Sequence, residues 1–163
     1  MSQSQEFILG EFSCRMDPRY RLSLPDGFFN ALTKKSTRCM LAKERPGCIS
    51  LWSMEAWQTT VNDRVELIKQ MMRLGDLSKE IDRVQLLGRL LSTRDTPVEF
   101  RSGKRLVVPQ AFREFLGVKP GGDVMVVGAA VSVELWNPTA WSGYLERQMP
   151  KFRRLCKHLS TPK

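Results

Sequence analysis

The chain has 163 residues, the size of one ordinary domain or two small ones, and 42% of them are apolar, which is enough to pack a core and excludes wholesale disorder. No run approaches the roughly 18 apolar residues of a membrane span, and the opening MSQSQEFILGEF has neither the basic start nor the long apolar stretch of a secretory signal, so neither is expected. The 26 Lys and Arg against 17 Asp and Glu leave a net charge of +9, which points to an anionic partner, nucleic acid above all, or to a basic surface that only aids solubility.

In chain order, residues 11–16 and 20–24 alternate partly between apolar and polar and predict two short strands. Asp17, Pro18 and Arg19 between them have turn chemistry. Pro25 closes the second strand, and Phe28, Phe29 and Leu32 form one face of a short helix. Residues 40–42 and 49–52 predict a further strand pair joined through Arg45, Pro46 and Gly47, and Ser53 is the expected N-cap of the next helix. Val61, Val65, Ile68 and Met72, then Ile81, Val84, Leu87 and Leu91, fall at steps of three and four, with Gly75 and Asp76 between the runs. They predict a helix pair whose apolar faces cover the strands or share in subunit contacts. Residues 98–100 and 105–108 are strands around Ser102 and Gly103; Pro109 opens a helix that Gly117 ends. After the loop Lys119, Pro120, Gly121, Gly122, residues 124–127 and 131–136 are the clearest strands of the chain. Asn137 then caps a helix with Pro138 at its first position and Ala140, Trp141, Tyr144 and Leu145 at helical spacing.

This order of elements occurs twice. All four tryptophans lie in two pieces, Trp52 with Trp57 and Trp136 with Trp141, at an offset of 84 residues. The same offset relates Arg21, Leu22, Pro25 and Phe28 to Arg105, Leu106, Pro109 and Phe112, as well as Leu32 to Leu116 and Lys35 to Lys119, with no insertion needed. The chain therefore divides into a first unit (7–57), a helical insert (58–94), a second unit (95–146) and a C-terminal tail (147–163). The tryptophans, at strand ends and helix starts, are expected to pack a core or a subunit contact rather than to stack on bases.

A unit of strand, basic turn, strand ending in Arg-Leu-x-x-Pro, short helix, and two strands ending in an apolar-Trp pair resembles the MraZ family over residues 7 to about 146. The resemblance implies an α+β fold: two tandem swapped-hairpin, AbrB-like units forming a pseudo-two-fold domain with flanking helices. It also implies a DNA-binding transcriptional regulator, cytoplasmic and nucleoid-associated, assembled as a ring-shaped homo-oligomer. Its expected target is short direct repeats of double-stranded DNA in a promoter of the division and cell-wall type. The family's DNA-contacting signature is Asp-x-x-x-Arg in each unit. Here Asp17 and Arg21 match it in the first unit, with Tyr20 in place of the usual Gly. In the second only Arg105 matches, with Arg101 in place of Asp and Lys104 in place of Gly. Glycine permits positive φ values that Tyr and Lys resist, which leaves the turn backbone open.

The residues themselves support anion binding at these turns. Arg15, Arg19 and Arg21 crowd the first, and Arg101, Lys104 and Arg105 the second. Arginine makes bidentate contacts with phosphate or with guanine O6 and N7, and a two-stranded ribbon fits the major groove. Asp17 is expected to hold Arg21 or the turn; the plainer reading has Arg21 and Arg105 as ion-pair residues at a strand start. The tail carries Arg147, Lys151, Arg153, Arg154, Lys157 and Lys163 with no acid, and Phe152, Leu155 and Leu159 at helical spacing. It could grip phosphates, dock on a neighbouring subunit or stand as a solvated end. Four scattered cysteines without a C-x-x-C, and a single histidine, His158, predict no metal, no disulfide scaffold and free thiols. No cofactor, small-molecule substrate, membrane partner or catalytic constellation is expected. The rival reading is an antitoxin-like or enzyme-regulating module whose main partner is a protein.

Overall fold

The computed structural model describes residues 7–73, 81–101 and 103–160; the expected break at Gly75 and Asp76, the turn residue Ser102, the tail residue Lys163 and the side chains of Met72, Leu87 and Leu91 lie outside the described residues. The elements run β1 (Glu11–Arg15), β2 (Arg21–Ser23), α1 (Asp26–Leu32), β3 (Arg38–Arg45), β4 (Cys48–Ser53), α2 (Met54–Arg73), α3 (Ile81–Ser92), β5 (Asp95–Glu99), β6 (Arg105–Val107), α4 (Gln110–Leu116), β7 (Asp123–Gly128), β8 (Val133–Trp136) and α5 (Pro138–Ser160).

Local chemistry places most boundaries. Pro25 and Pro109 precede α1 and α4, where their fixed φ and missing N–H cost nothing. Gly117 closes α4 with φ 73° and returns its N–H to the Arg113 carbonyl at 2.9 Å. Its counterpart Thr33 stays at φ −112°, and both its N–H and its hydroxyl donate to the Phe29 carbonyl, at 3.0 and 2.7 Å. Ser53 Oγ accepts the Ala56 N–H at 3.2 Å, and Asn137 Oδ1 accepts those of Thr139 and Ala140 at 3.0 and 3.4 Å.

Strand pairing does not follow chain order. One antiparallel sheet has the order β1-β7-β8-β4-β3-β5, and β2 pairs with β6 as a separate ribbon. Thus β1 of the first unit extends the β7–β8 hairpin of the second, while β5 of the second extends β3–β4 of the first. Each unit completes its sheet with a strand from the other. In β4–β8 the residue opposite Ser50 is Glu134, and in β2–β6 the residue opposite Leu22 is Leu106. Both pairs are 84 apart (134 − 50 and 106 − 22), so one pseudo-two-fold axis passes through both contacts.

The ungapped offset conceals a compensated shift. Cys14 pairs with Val124 and Cys39 with Val98. The β1 and β5 partners differ by 84 (98 − 14), but the β3 and β7 partners differ by 85 (124 − 39). A β-bulge between Lys43 and Arg45 absorbs the extra residue before β4. The corrected register aligns Met40 with Met125, an identity invisible at an offset of 84.

The main core lies between one face of the sheet, the ribbon and the two short helices. It holds equivalent residues from both units: Leu22 and Leu106, Phe28 and Phe112, Leu32 and Leu116, Leu51 and Leu135. A smaller cluster on the other face contains Cys48, Val127 and Trp136, covered by Ala140, Trp141 and Tyr144 of α5. Trp57 and Trp136 are buried, and Trp52 and Trp141 are half-buried against them at ring distances of 5.9 and 5.1 Å. Trp141 Nε1 is buried and has no hydrogen-bond partner among the described residues.

Two expectations need correction. The insert does not cover the strands along its length: Trp57 at the start of α2 is buried, but Val65, Ile81, Leu86 and Leu90 are exposed. The tail is not separate, because α5 runs unbroken from Pro138 to Ser160 through Pro150, at the cost of one helical hydrogen bond. Phe152, Leu155 and Leu159 stay exposed on it.

Candidate nucleic-acid interface

The first basic turn is organised by Asp17. Its Oδ1 accepts the backbone N–H groups of Arg19 and Arg21 at 2.8 and 2.9 Å, and its Oδ2 accepts Arg21 Nε at 2.7 Å. The Arg21 N–H, then the guanidinium and the Arg19 N–H, hold the Asp17 carboxyl below its ordinary range against the opposing effect of desolvation. The turn closes through Asp17 N–H to the Arg21 carbonyl at 3.0 Å. Asp17 therefore holds both the turn backbone and the Arg21 side chain.

Tyr20 occupies the left-handed region at φ 58°. The backbone that a glycine would favour is kept despite the side chain, at a cost of roughly 1–2 kcal/mol. Three contacts hold it there: the Arg113 guanidinium lies 4.0 Å from the ring centroid, the Tyr20 N–H donates to the Asp17 carbonyl at 3.1 Å, and the Tyr20 carbonyl accepts the Val108 N–H at 2.9 Å. In the second turn the positive φ moves one place earlier, to Gly103 at 86°, and Lys104 is spared it.

The second turn has no carboxylate of its own. Arg101 takes the place of Asp17, and its N–H reaches the Arg105 carbonyl at 3.4 Å, a looser closure than in the first turn. Lys104 forms an ion pair with Asp26 in the first turn of α1, 78 residues away. That partner could not be read from local sequence, since only the swap brings β6 beside α1.

The two turns do not form hairpins with their own strands. β1 and β5 are drawn to opposite edges of the sheet, so the ribbon that carries Arg21 and Arg105 is β2–β6, one strand from each unit. Ser23 faces Arg105 across it. A cavity of about 430 Å³ opens beside the ribbon, lined by Cys14, Arg15, Asp17, Arg21, Ser23 and Arg105. It collects three of the six expected basic residues, Arg15, Arg21 and Arg105, from both units. Arg19 and Arg101 are exposed at the turns but do not line it, and Lys104 is turned to Asp26. Sequence reasoning did not single out Ser23 or Cys14, whose place at the cavity follows from the β2–β6 pairing. Burial raises the Cys14 thiol above its ordinary pKa.

Elsewhere, Arg147, Lys151, Arg153, Arg154 and Lys157 are exposed along α5. An apolar groove of about 820 Å³ runs between the N-terminal segment, α1 and the start of α2, with Phe7, Leu9, Phe12, Trp52 and Val131 in its wall. Among the described residues no helix is long and apolar enough to cross a membrane, and no cluster of His, Cys, Asp or Glu is suited to a metal ion.

A family model described as "MraZ protein, putative antitoxin-like" matches residues 95–156. Similar proteins include the transcriptional regulator MraZ of Thermomicrobium roseum, 24% identical over 94% of this chain and 98% of its own length. Those of Micrococcus luteus and Methylobacillus flagellatus are each 29% identical, over 89% and 86% of this chain and 91% and 87% of their own lengths.

Proposed function

We propose that this chain, a divergent member of the MraZ family, is a DNA-binding transcriptional regulator that grips double-stranded DNA through the β2–β6 ribbon and its two flanking turns. The observation that carries this reading is the single cavity holding Arg15, Arg21 and Arg105 from both units. A lone basic turn would be a weak ligand, since non-specific affinities are about 10⁻⁴ to 10⁻⁶ M at physiological salt. A cluster built across the pseudo-dyad presents several guanidiniums at once. We further propose a ring-like homo-oligomer, whose repeated ribbons would bind short direct repeats in a promoter by effective concentration. The setting proposed for this work is the cytoplasm, on the nucleoid.

Gel-shift titration against a duplex bearing repeated short sites tests the reading. Arg21→Ala and Arg105→Ala should each weaken binding, and shifting the repeat spacing by half a helical turn, about 5 base pairs, should weaken it sharply. Unchanged titrations for both variants would remove the ribbon from the interface. The antitoxin-like description of the family, together with the apolar groove beside α1, favours a protein partner as the second reading. Salt separates the two: DNA binding should fall with a log–log slope near −0.9 per phosphate neutralised, which a protein interface need not show.

A further inference from the structure

We infer that the two basic turns, although related by the pseudo-dyad, do different work: the Asp17 turn positions Arg21 to read a base edge, and the Arg101 turn supplies phosphate contacts, so that each chain reads a site with polarity. This rests on the DNA-binding reading above.

The difference lies in the support each arginine receives. Arg21 is fixed at Nε by Asp17 Oδ2, and the same carboxylate fixes the backbone on either side of Tyr20. Asp17 engages only one of the five guanidinium hydrogens, so the Nη fork that matches guanine O6 and N7 is left to a ligand. A guanidinium held in one geometry before binding loses little freedom on binding, which is what discrimination between bases requires. The charge of that pair is also cancelled by Asp17, so Arg21 adds little to general attraction for phosphate.

The equivalent Arg105 has none of this. Among the described residues its side chain has no hydrogen bond or ion pair, and the carboxylate position is taken by Arg101, a second positive charge. Two exposed, unneutralised guanidiniums at a turn with a loose closure attract phosphate strongly and carry no fixed direction. Lys104 is neutralised by Asp26 and drops out of both roles. Two equal turns on a two-fold axis would read a palindrome; two unequal turns give one specified half and one anchoring half.

The test uses the full chain and two duplexes of equal length, one enriched by the wild-type chain from a random pool and one unselected. Asp17→Asn keeps an oxygen for the two backbone N–H groups but presents an amide to Arg21 Nε. It should cut the preference for the enriched duplex by about tenfold, with binding to the unselected duplex unchanged or tighter. Arg21→Gln should lose the preference likewise. Arg101→Gln and Arg105→Gln should weaken both duplexes by the same factor and each reduce the salt slope by about 0.9. The inference fails if Arg105→Gln erases the preference as fully as Arg21→Gln, or if Asp17→Asn weakens both duplexes alike. Four variants that melt like the wild type and bind both duplexes unchanged would remove DNA from the turns altogether, and the division of labour with it.

Discussion

Replacing Leu22 by Ala tests whether the β2–β6 ribbon holds the two units in one fold. Leu22 and Leu106 face each other on the pseudo-dyad, and neither has any exposed surface. The ribbon pairs only Arg21–Ser23 with Arg105–Val107, so few other contacts would compensate. Truncation removes three buried carbons at about 0.8 kcal/mol each, about 2.4 kcal/mol in transfer free energy. The cavity left among Phe28, Phe112 and the sheet raises the cost further, to about 3 kcal/mol, within the usual span for buried leucines. In a chain of this size that lowers the melting temperature by about 6–12 °C. Leu106→Ala should cost the same by symmetry, and because the two are cross-strand partners the double variant should cost about 1 kcal/mol less than the sum. Urea titrations followed by tryptophan fluorescence measure all three. A loss below about 1 kcal/mol for either single variant, or strict additivity, would show that the ribbon is not the seam between the units.

Gly47→Ala places a side chain at φ 84° and a Cβ 2.6 Å from the Ala140 Cβ. Left-handed strain and overpacking together should cost about 2 kcal/mol or more, read as a lower melting temperature; an unchanged melt would mean that the β3–β4 turn is not packed on α5. Glu134→Gln addresses the sheet at its dyad. Burial pushes the Glu134 carboxyl up, with Glu44 adding to the rise and the bond from Trp136 Nε1 at 3.2 Å opposing it. The folded state therefore holds this proton more tightly than the unfolded chain does, and the residue destabilises the fold increasingly as pH rises through and above the ordinary carboxylate range. The Gln variant, whose amide oxygen still accepts from Trp136, should melt higher than the wild type at neutral pH and equally below about pH 4. Equal melts at both pH values would contradict the burial argument.

Much of the architecture is legible in the sequence. Pro25, Pro109, Ser53, Asn137 and Gly117 mark element ends because their chemistry acts on neighbouring backbone groups, and the structure finds each at a helix terminus. The longer β3 and the bulge after Lys43 were not visible, because they depend on what lies across the strand rather than along it. The same holds for the insert. Its three-and-four periodicity predicts helices, and α2 and α3 lie there, but a periodic apolar face does not say what covers it, and among its described residues Val65 and Ile81 are exposed.

The sequence by itself determined that one unit occurs twice, where each copy begins its helices, and which basic residues gather at the two turns, since all of these are local patterns repeated at a fixed spacing. Only the tertiary structure decided that β1 and β5 change places between the units. That exchange joins Arg21 to Arg105 across a shared ribbon and ties Lys104 to Asp26. It also showed the two turns to be unequal in support as well as in sequence. Strand pairing is a long-range choice, made by which edges can bury a common core, and so the partners of the charged residues that frame the candidate site became visible only once the chain had folded.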